Sequence, residues 1–322
     1  MTSKIIERIE RKAGIPGLAT VLAEQVSPTD LQSLLLEVYR QQAGHRTPAQ
    51  VLADHENNRF TRPSQVTSQD LLDWEQTAFA ALTPEFEALA LAPACPLGTV
   101  SAVALSDQYR VMSTIYNTEV VSDSTNVLAL ECALRRRDHL RQNPKSATVI
   151  HLAASHRLLR TQRYDNPNAI AHFSAFALCS AGRDAGNFSF ELDALVAQIS
   201  FYIRALQAYC GADVPLRLAL TDFRTADSES VFSEGLFAQI QAHFPGLECV
   251  LDPGRSSGRD YYQHLCFHLY AASPDGDFIE LADGGVVDWT QKLLSNAKER
   301  CVISGIGSER ICQVFGKSLH QD

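Results

Sequence analysis

The sequence predicts an α+β fold: a large, mostly antiparallel sheet with helices packed on it, preceded by a helical N-terminal domain. Three observations predict it. Apolar runs of strand length recur at 149–154, 173–179, 216–220, 249–251, 264–271, 278–281 and 302–306, with one long helical pattern, Leu195, Ile199, Ile203 and Leu206, set among them. No parallel β-α-β rhythm with a glycine fingerprint accompanies these runs, so a dinucleotide fold is not expected. The first 65 residues carry helix starts instead of strand patterns.

Those starts are specific. Ser27-Pro28-Thr29-Asp30 places a capping serine, a proline at the first helical position and an acid ahead of Leu31, Leu34, Leu35 and Val38, which recur at helical spacing. Thr47-Pro48-Ala49-Gln50 repeats the arrangement before Val51 and Leu52. The polar stretch from Asn57 through Arg62-Pro63-Ser64 breaks the pattern, and a domain boundary is placed there, dividing 1–65 from 66–322. The N-terminal segment balances its basic residues (Lys4, Arg8, Arg11, Lys12, Arg40, Arg46, Arg59, Arg62) against Glu7, Glu10, Glu24, Asp30, Glu37, Asp54 and Glu56. Without a basic stripe, packing or a protein partner is its expected role rather than nucleic acid.

A helix over Leu71, Leu72, Ala78, Phe79 and Leu82 comes next, then Phe86 to Leu91, β-like runs at 100–105 and 111–115, and a helix over 127–137. The dense basic run Arg135, Arg136, Arg137 with Arg141 reads as the exposed face of that helix.

Composition narrows the function. The chain has 322 residues, 45% hydrophobic and 20% charged, which excludes a disordered chain. No apolar run approaches the roughly 18 residues of a membrane span, and the N-terminus is charged where a signal peptide would be apolar, so a cytoplasmic location is expected. With 28 basic against 37 acidic residues the net charge is −9, which works against a general grip on phosphate backbones; no specific nucleic acid and no membrane are expected as partners. The eight cysteines show no zinc spacing, so no metal is expected on them, and most read as reduced core residues.

Four stretches hold polar groups that core and loop logic do not require. Val121-Ser122-Asp123-Ser124-Thr125 ends one strand-like region and precedes a helix, where Asp123 and Ser124 read equally well as caps. Residues 156–163, a polar turn at 164–168 and a strand through Phe173 and Phe176 offer the guanidinium forks of Arg157, Arg160 and Arg163 to a phosphate or carboxylate; a solvated hairpin edge is the alternative. Ser256-Ser257-Gly258-Arg259-Asp260-Tyr261-Tyr262 leads into a strand, on which adjacent tyrosines point to opposite faces, so at most one is expected in a given pocket. Gly284-Gly285-Val286-Val287-Asp288 and Gly305-Ile306-Gly307-Ser308-Glu309-Arg310 combine close backbone approach with an arginine at a helix start.

In order and spacing these four resemble the core of a class II aminoacyl-tRNA synthetase, specifically histidyl-tRNA synthetase and its paralogue, the regulatory subunit of ATP phosphoribosyltransferase. The resemblance covers about 67–316 and extends to 86–93, ending at Pro93, as the family's dimer motif. It implies a homodimer built around 70–95 and ATP with magnesium as cofactor. It implies that Arg160, Gln162, Phe173, Gly305, Gly307 and Arg310 hold the nucleotide, with Arg160 and Arg310 as the catalytic pair, and that Asp123, Thr125, Arg259, Tyr261, Tyr262, Gly284 and Gly285 hold an amine-bearing substrate. The departures point elsewhere: Gln162 stands for the family's acid, Ala175 and Cys179 for its histidine-binding pair, Val121 for the arginine before the acid and Ser257 for a catalytic arginine. No anticodon-binding domain follows Arg310, so tRNA charging by this chain is not expected. Two readings stay open: a regulatory or ligand-binding subunit for an amino acid or nucleotide, and an ATP-dependent ligase forming an adenylate for an acceptor other than tRNA.

Overall fold

The computed structural model describes residues 2–162, 170–224, 231–259 and 261–316. Arg163 and the expected turn at 164–168 lie outside the described residues, as does Asp260 of the tyrosine-pair element.

Helices open the chain. α1 (Thr2–Ala13) and the short α2 (Leu18–Thr20) lead through a π-turn at Val21–Gln25 to α3 (Pro28–Gly44) and α4 (Pro48–Asn57). At the start of α3, Ser27 Oγ accepts the Asp30 amide hydrogen at 3.1 Å. At α4 the Thr47 hydroxyl oxygen accepts from Gln50 N and the Gln50 side chain accepts from Thr47 N, a reciprocal capping box that satisfies two free donors. Helices α2 to α4 bury no residue, and Leu34, Val38, Tyr39, Val51 and Leu52 are all exposed.

The rest of the chain runs α5 (Ser68–Ala81), β1 (Phe86–Ala88), β2 (Ala94–Pro96), α6 (Thr99–Ala102), β3 (Thr118–Val120), α7 (Ser124–Gln142), β4 (Ile150–Leu159) and β5 (His172–Arg183). It continues through α8 (Ser189–Cys210), β6 (Leu216–Asp222), α9 (Val231–His243), β7 (Glu248–Leu251), β8 (Leu265–Ala272), β9 (Phe278–Val287), α10 (Trp289–Leu294), β10 (Glu299–Gly307) and α11 (Ser308–Phe315). Eight strands form one sheet in the order β1-β4-β5-β10-β9-β8-β6-β7. Pairing is parallel only at its two ends, β1 on β4 and β6 on β7; every pair between is antiparallel. The α+β expectation and the sheet character therefore hold. No helix among the described residues is long and apolar enough to cross a membrane.

The sheet separates two cores, and period-2 alternation assigns each side chain. On β5, Phe176 and Leu178 face α8, whose Leu195, Ile199, Ile203 and Leu206 are fully buried, while Ala177, Cys179 and Ala181 face α7 with Leu128 and Cys132. All eight cysteines are free, and six of them are buried.

Three expectations fail. The run 100–105 is not a strand: α6 turns there because the buried Glu119 carboxylate accepts the amide hydrogens of Gly98 and Val100, both at 2.9 Å, and the Gln108 amide at 2.7 Å. The run 111–115 contributes a single isolated bridge, Ser113 to Glu119. Local β-propensity yields here to one buried acceptor that gathers a loop around itself. The basic run is not wholly exposed either, since Arg136 is completely buried. Three successive helical residues point about 100° apart, so one of Arg135, Arg136 and Arg137 had to face the sheet.

Candidate functional site

A cavity of about 1170 Å³ opens on the α7 side of the sheet, where β4, β5, β9 and β10 meet the start of α7, the 255–262 loop and the start of α11. Four arginines and several carboxylates from distant parts of the chain line it. Asp123, Arg160 and Arg310 share this one cavity, and Thr125, Gln162, Phe173, Tyr261, Tyr262, Gly305 and Gly307 line it with them.

Asp123 caps α7 and also faces the cavity. Its Oδ1 accepts from Thr125 N at 3.0 Å and from the Thr125 hydroxyl at 2.7 Å; its Oδ2 accepts from the Tyr261 hydroxyl at 3.2 Å and stands 3.6 Å from the Arg160 guanidinium. One side chain thus caps the helix and lines the cavity. Arg160 donates from Nε to the Ser122 carbonyl and lies over the Phe173 ring at 5.1 Å, which fixes its fork across the cavity wall. Arg310, exposed at the mouth, makes no hydrogen bond or ion pair among the described residues. Its neighbour Glu309 is buried and paired to Arg157 at 2.8 Å. Arg157 also donates to His172 Nδ1, and His172 Nε2 donates to the Arg62 carbonyl, so the 59–62 stretch is tied to the cavity wall.

The floor is a buried polar group that sequence reasoning missed. Arg255, 8% exposed, donates to the carbonyls of Ser257 and Phe267 and sits 3.9 Å from Asp283. Tyr262 donates to Asp283 Oδ2 at 2.9 Å, so adjacent tyrosines each hold one carboxylate. Burial pushes both phenols well above their ordinary range and keeps them as neutral donors. Burial also pushes the Asp283 carboxyl up. His268, hydrogen-bonded to the Tyr270 hydroxyl at 3.1 Å, is pushed down to about 4 by burial and by the Arg255 charge.

That histidine carries a pH dependence. Above pH 6.5 it is neutral both folded and unfolded; between 6.5 and about 4 only the unfolded chain takes up the proton, so stability is lost as pH falls through this window. Asp283, with its proton held more tightly in the fold, acts in the opposite sense. His268→Gln should flatten the acid limb by about 2–3 kcal/mol, read as the difference between the wild-type and variant melting curves from pH 7 to 4. Parallel curves would show that the ring titrates normally.

No protein-family model and no curated protein matches the sequence. Solved structures do match. The ATP phosphoribosyltransferase regulatory subunit/histidyl-tRNA synthetase of Bacillus halodurans superposes with a TM-score of 0.59 at 10% identity, over 80% of this chain and 82% of that one. A histidine–tRNA ligase subunit of Alicyclobacillus acidocaldarius gives 0.57 at 13%, over 82% and 97%, and apo histidyl-tRNA synthetase of S. aureus gives 0.54 at 16%, over 80% and 68%. The fold is that of the class II aminoacyl-tRNA synthetases.

Within this class II fold, several expected positions move. Arg259 does not line the cavity: its guanidinium lies 5.0 Å over the Phe223 ring, because Gly258, at φ 81°, turns the chain between Ser257 and the tyrosines. Both tyrosines line the cavity, against the expectation of one, since they sit in that turn ahead of β8 where strand alternation does not apply. Gly284 and Gly285 lie inside β9 and do not line the cavity. A Cβ on Gly284 would meet Ser304 Cβ at 2.4 Å and the Ile303 carbonyl at 2.6 Å; one on Gly285 would meet the Leu265 carbonyl at 2.5 Å. Their absence of side chain serves strand packing. Of the departures from the family pattern, Ala175 lines the cavity while Cys179 lies deeper, 3.7 Å from Cys301 in the α7 core. For Arg255 and Asp283 the available signals were slight: an arginine three residues before Gly258 and an acid directly before the glycine pair.

Proposed function

We propose that this chain is a histidyl-tRNA synthetase-like paralogue that works as a ligand-binding or regulatory subunit, taking an amino acid or nucleotide in the cavity. The observation that carries the reading is the commitment of Arg255. The family's catalytic arginine position is Ser257, and the buried arginine of this loop directs its donors to two carbonyls and Asp283, so that this guanidinium is not available for charge developing on a phosphate. A nucleotide fits the mouth. A Cβ on Gly305 would have only the Phe176 carbonyl within 4 Å, so the strand leaves open space for a flat ligand, beside Phe173, Gly307, Gln162 and the unpaired Arg310. No group of three or more His, Cys, Asp or Glu that could hold a metal ion occurs among the described residues, so magnesium would arrive on the phosphates rather than in a protein cage. Bound there, a nucleotide would supply an activated phosphoanhydride.

The second reading, an ATP-dependent adenylate-forming ligase for a non-tRNA acceptor, draws support from Arg160 and Arg310 lining one cavity, because the unpaired Arg310 guanidinium and the fixed fork of Arg160 beside it favour an arriving anion. Pyrophosphate exchange with ATP, magnesium and each amino acid, run beside thermal shift with the same ligands, separates the two. The expected result is stabilisation without exchange, and loss of that stabilisation in Arg160→Ala; exchange dependent on Arg160 establishes the ligase instead.

As partners we propose a second copy through 70–95, where α5 leaves Leu72 and Phe79 exposed, and a protein partner through the exposed apolar side chains of α3 and α4, with 1–65 as a separate domain. Light scattering at micromolar concentration should give a dimer; a monomer would refute the first of these. Neither duplex DNA nor tRNA is expected to bind specifically, and a cytoplasmic location fits the reading.

A further inference from the structure

The floor of the cavity holds acceptors that the function above leaves idle. Asp283 accepts one hydrogen bond, from Tyr262 to Oδ2, and the Arg255 guanidinium also stands beside that oxygen; Oδ1 has no hydrogen-bond partner among the described residues. Glu280, on the same strand and lining the same cavity, has its carboxylate 3.7 Å from His268 Nε2, a ring that is neutral near neutral pH, and pairs with no cation among the described residues. The third acceptor is independent of these acids. Asn126, in the first turn of α7, lines the cavity, is 2% exposed, and its Oδ1 has no partner.

A buried amide oxygen without a donor carries a desolvation penalty that an arriving N–H would relieve, and the Asp283 and Glu280 side chains, 47% and 42% exposed, present carboxylate acceptors that such a ligand can reach from the cavity. The guanidinium and phenol donors of the floor are committed: Arg255 to carbonyls, Tyr261 to Asp123 and Tyr262 to Asp283. Asp123 itself is saturated by Thr125, Tyr261 and Arg160. The uncommitted cations of the lining, Arg310 and Arg110, are exposed. The cavity is therefore polarised, with free cations outside and free acceptors inside. An anionic group suits the first, and a molecule bearing more than one N–H centre suits the second.

We infer that the small molecule is an amino acid with a second basic nitrogen, an amine, amidine or guanidine at the end of its side chain, whose α-amine is received by Asn126 beside Asp123 and whose second nitrogen is received by Asp283 with Glu280. This rests on the ligand-binding reading above and names the class of its ligand. A neutral side chain of equal length would fill the same volume and leave both Asp283 Oδ1 and Glu280 without a donor.

Calorimetric titration of the full chain with lysine against norleucine and ornithine against norvaline, with and without ATP, and with histidine alongside, tests the assignment. The diamino acid should bind at least about tenfold more tightly than its neutral partner, the factor expected of one hydrogen-bonded charge pair. Asp283→Asn, which keeps an acceptor for Tyr262, should bring that ratio close to one; Glu280→Gln, with its side chain 42% exposed and thus tolerant of change, should lower it as well and serves if the first variant does not fold. Equal binding of lysine and norleucine, an unaltered ratio in the variants, or preference for histidine over both diamino acids overturns the inference while leaving a ligand-binding subunit standing. Absence of binding by every amino acid, with or without ATP, overturns the reading on which it rests and the inference with it.

Discussion

Replacing Arg136 with methionine should cost about 3–5 kcal/mol and lower the melting temperature by roughly 10 °C, although the substitution adds apolar volume to an apolar core. Arg136 and Glu299 are each completely buried. Nε and one terminal nitrogen of Arg136 donate to the two carboxylate oxygens of Glu299, both at 2.8 Å, and the remaining donors reach the carbonyls of Ser146 and Thr148. One side chain thus ties α7 to the first residue of β10 and to the connection into β4. Removing it leaves a carboxylate with no counter-charge and two carbonyls with no donor, and that penalty, not the lost attraction, makes the large number. The double replacement Arg136→Met with Glu299→Leu supplies the control. Because the desolvation penalty of the pair disappears with it, the double variant should melt closer to wild type than either single variant. If the single and double variants lose stability additively, the two side chains do not act as a pair and the account is wrong.

Arg136 also marks a limit of what could be read in advance. The sheet was legible because buried strands write their hydrophobicity in consecutive residues: each of the seven apolar runs lies on a strand of the eight-stranded sheet. The caps of α3 and α4 were legible because the chemistry of capping is local. Glu119, Arg136 and Arg255 were not, because each is a charged side chain whose partners lie tens to more than a hundred residues away, or in a loop whose path it helps to set. In the cavity, Asp123, Arg160 and Arg310 could be grouped from ordered motifs, and they do share one wall system. Arg259 and the glycine pair were grouped with them on the same grounds. Their side chains, or the lack of them, answer instead to Phe223 and to neighbouring strands. Motif order carries the backbone path faithfully, whereas the direction of each side chain depends on the turn that precedes it.

The glycine pair gives the sharpest test of that distinction. Gly284→Ala should destabilise the protein by about 3 kcal/mol, the upper end of ordinary overpacking, and lower the melting temperature by roughly 6–12 °C. The added methyl would lie 2.4 Å from Ser304 Cβ, 2.6 Å from the Ile303 carbonyl oxygen and 2.7 Å from Phe267 Cε1. None of these is the free end of a flexible side chain. Ser304 and Ile303 belong to β10, paired to β9 with Ser304 directly opposite Gly284, so relief requires the two central strands to part. Backbone strain plays no role, since Gly284 is not among the glycines at positive φ; the cost is volume alone. Ser304→Gly in the same chain removes one of the three contacts and should restore part of the loss, while Phe267 and the Ile303 carbonyl keep the rest. A glycine needed for ligand approach would behave differently: alanine there would leave the melting temperature of the free protein near wild type and weaken ligand binding instead. Thermal melts of the free protein therefore decide between a packing glycine and a binding glycine before any ligand is known, and an unchanged melting temperature in Gly284→Ala would return this position to the cavity.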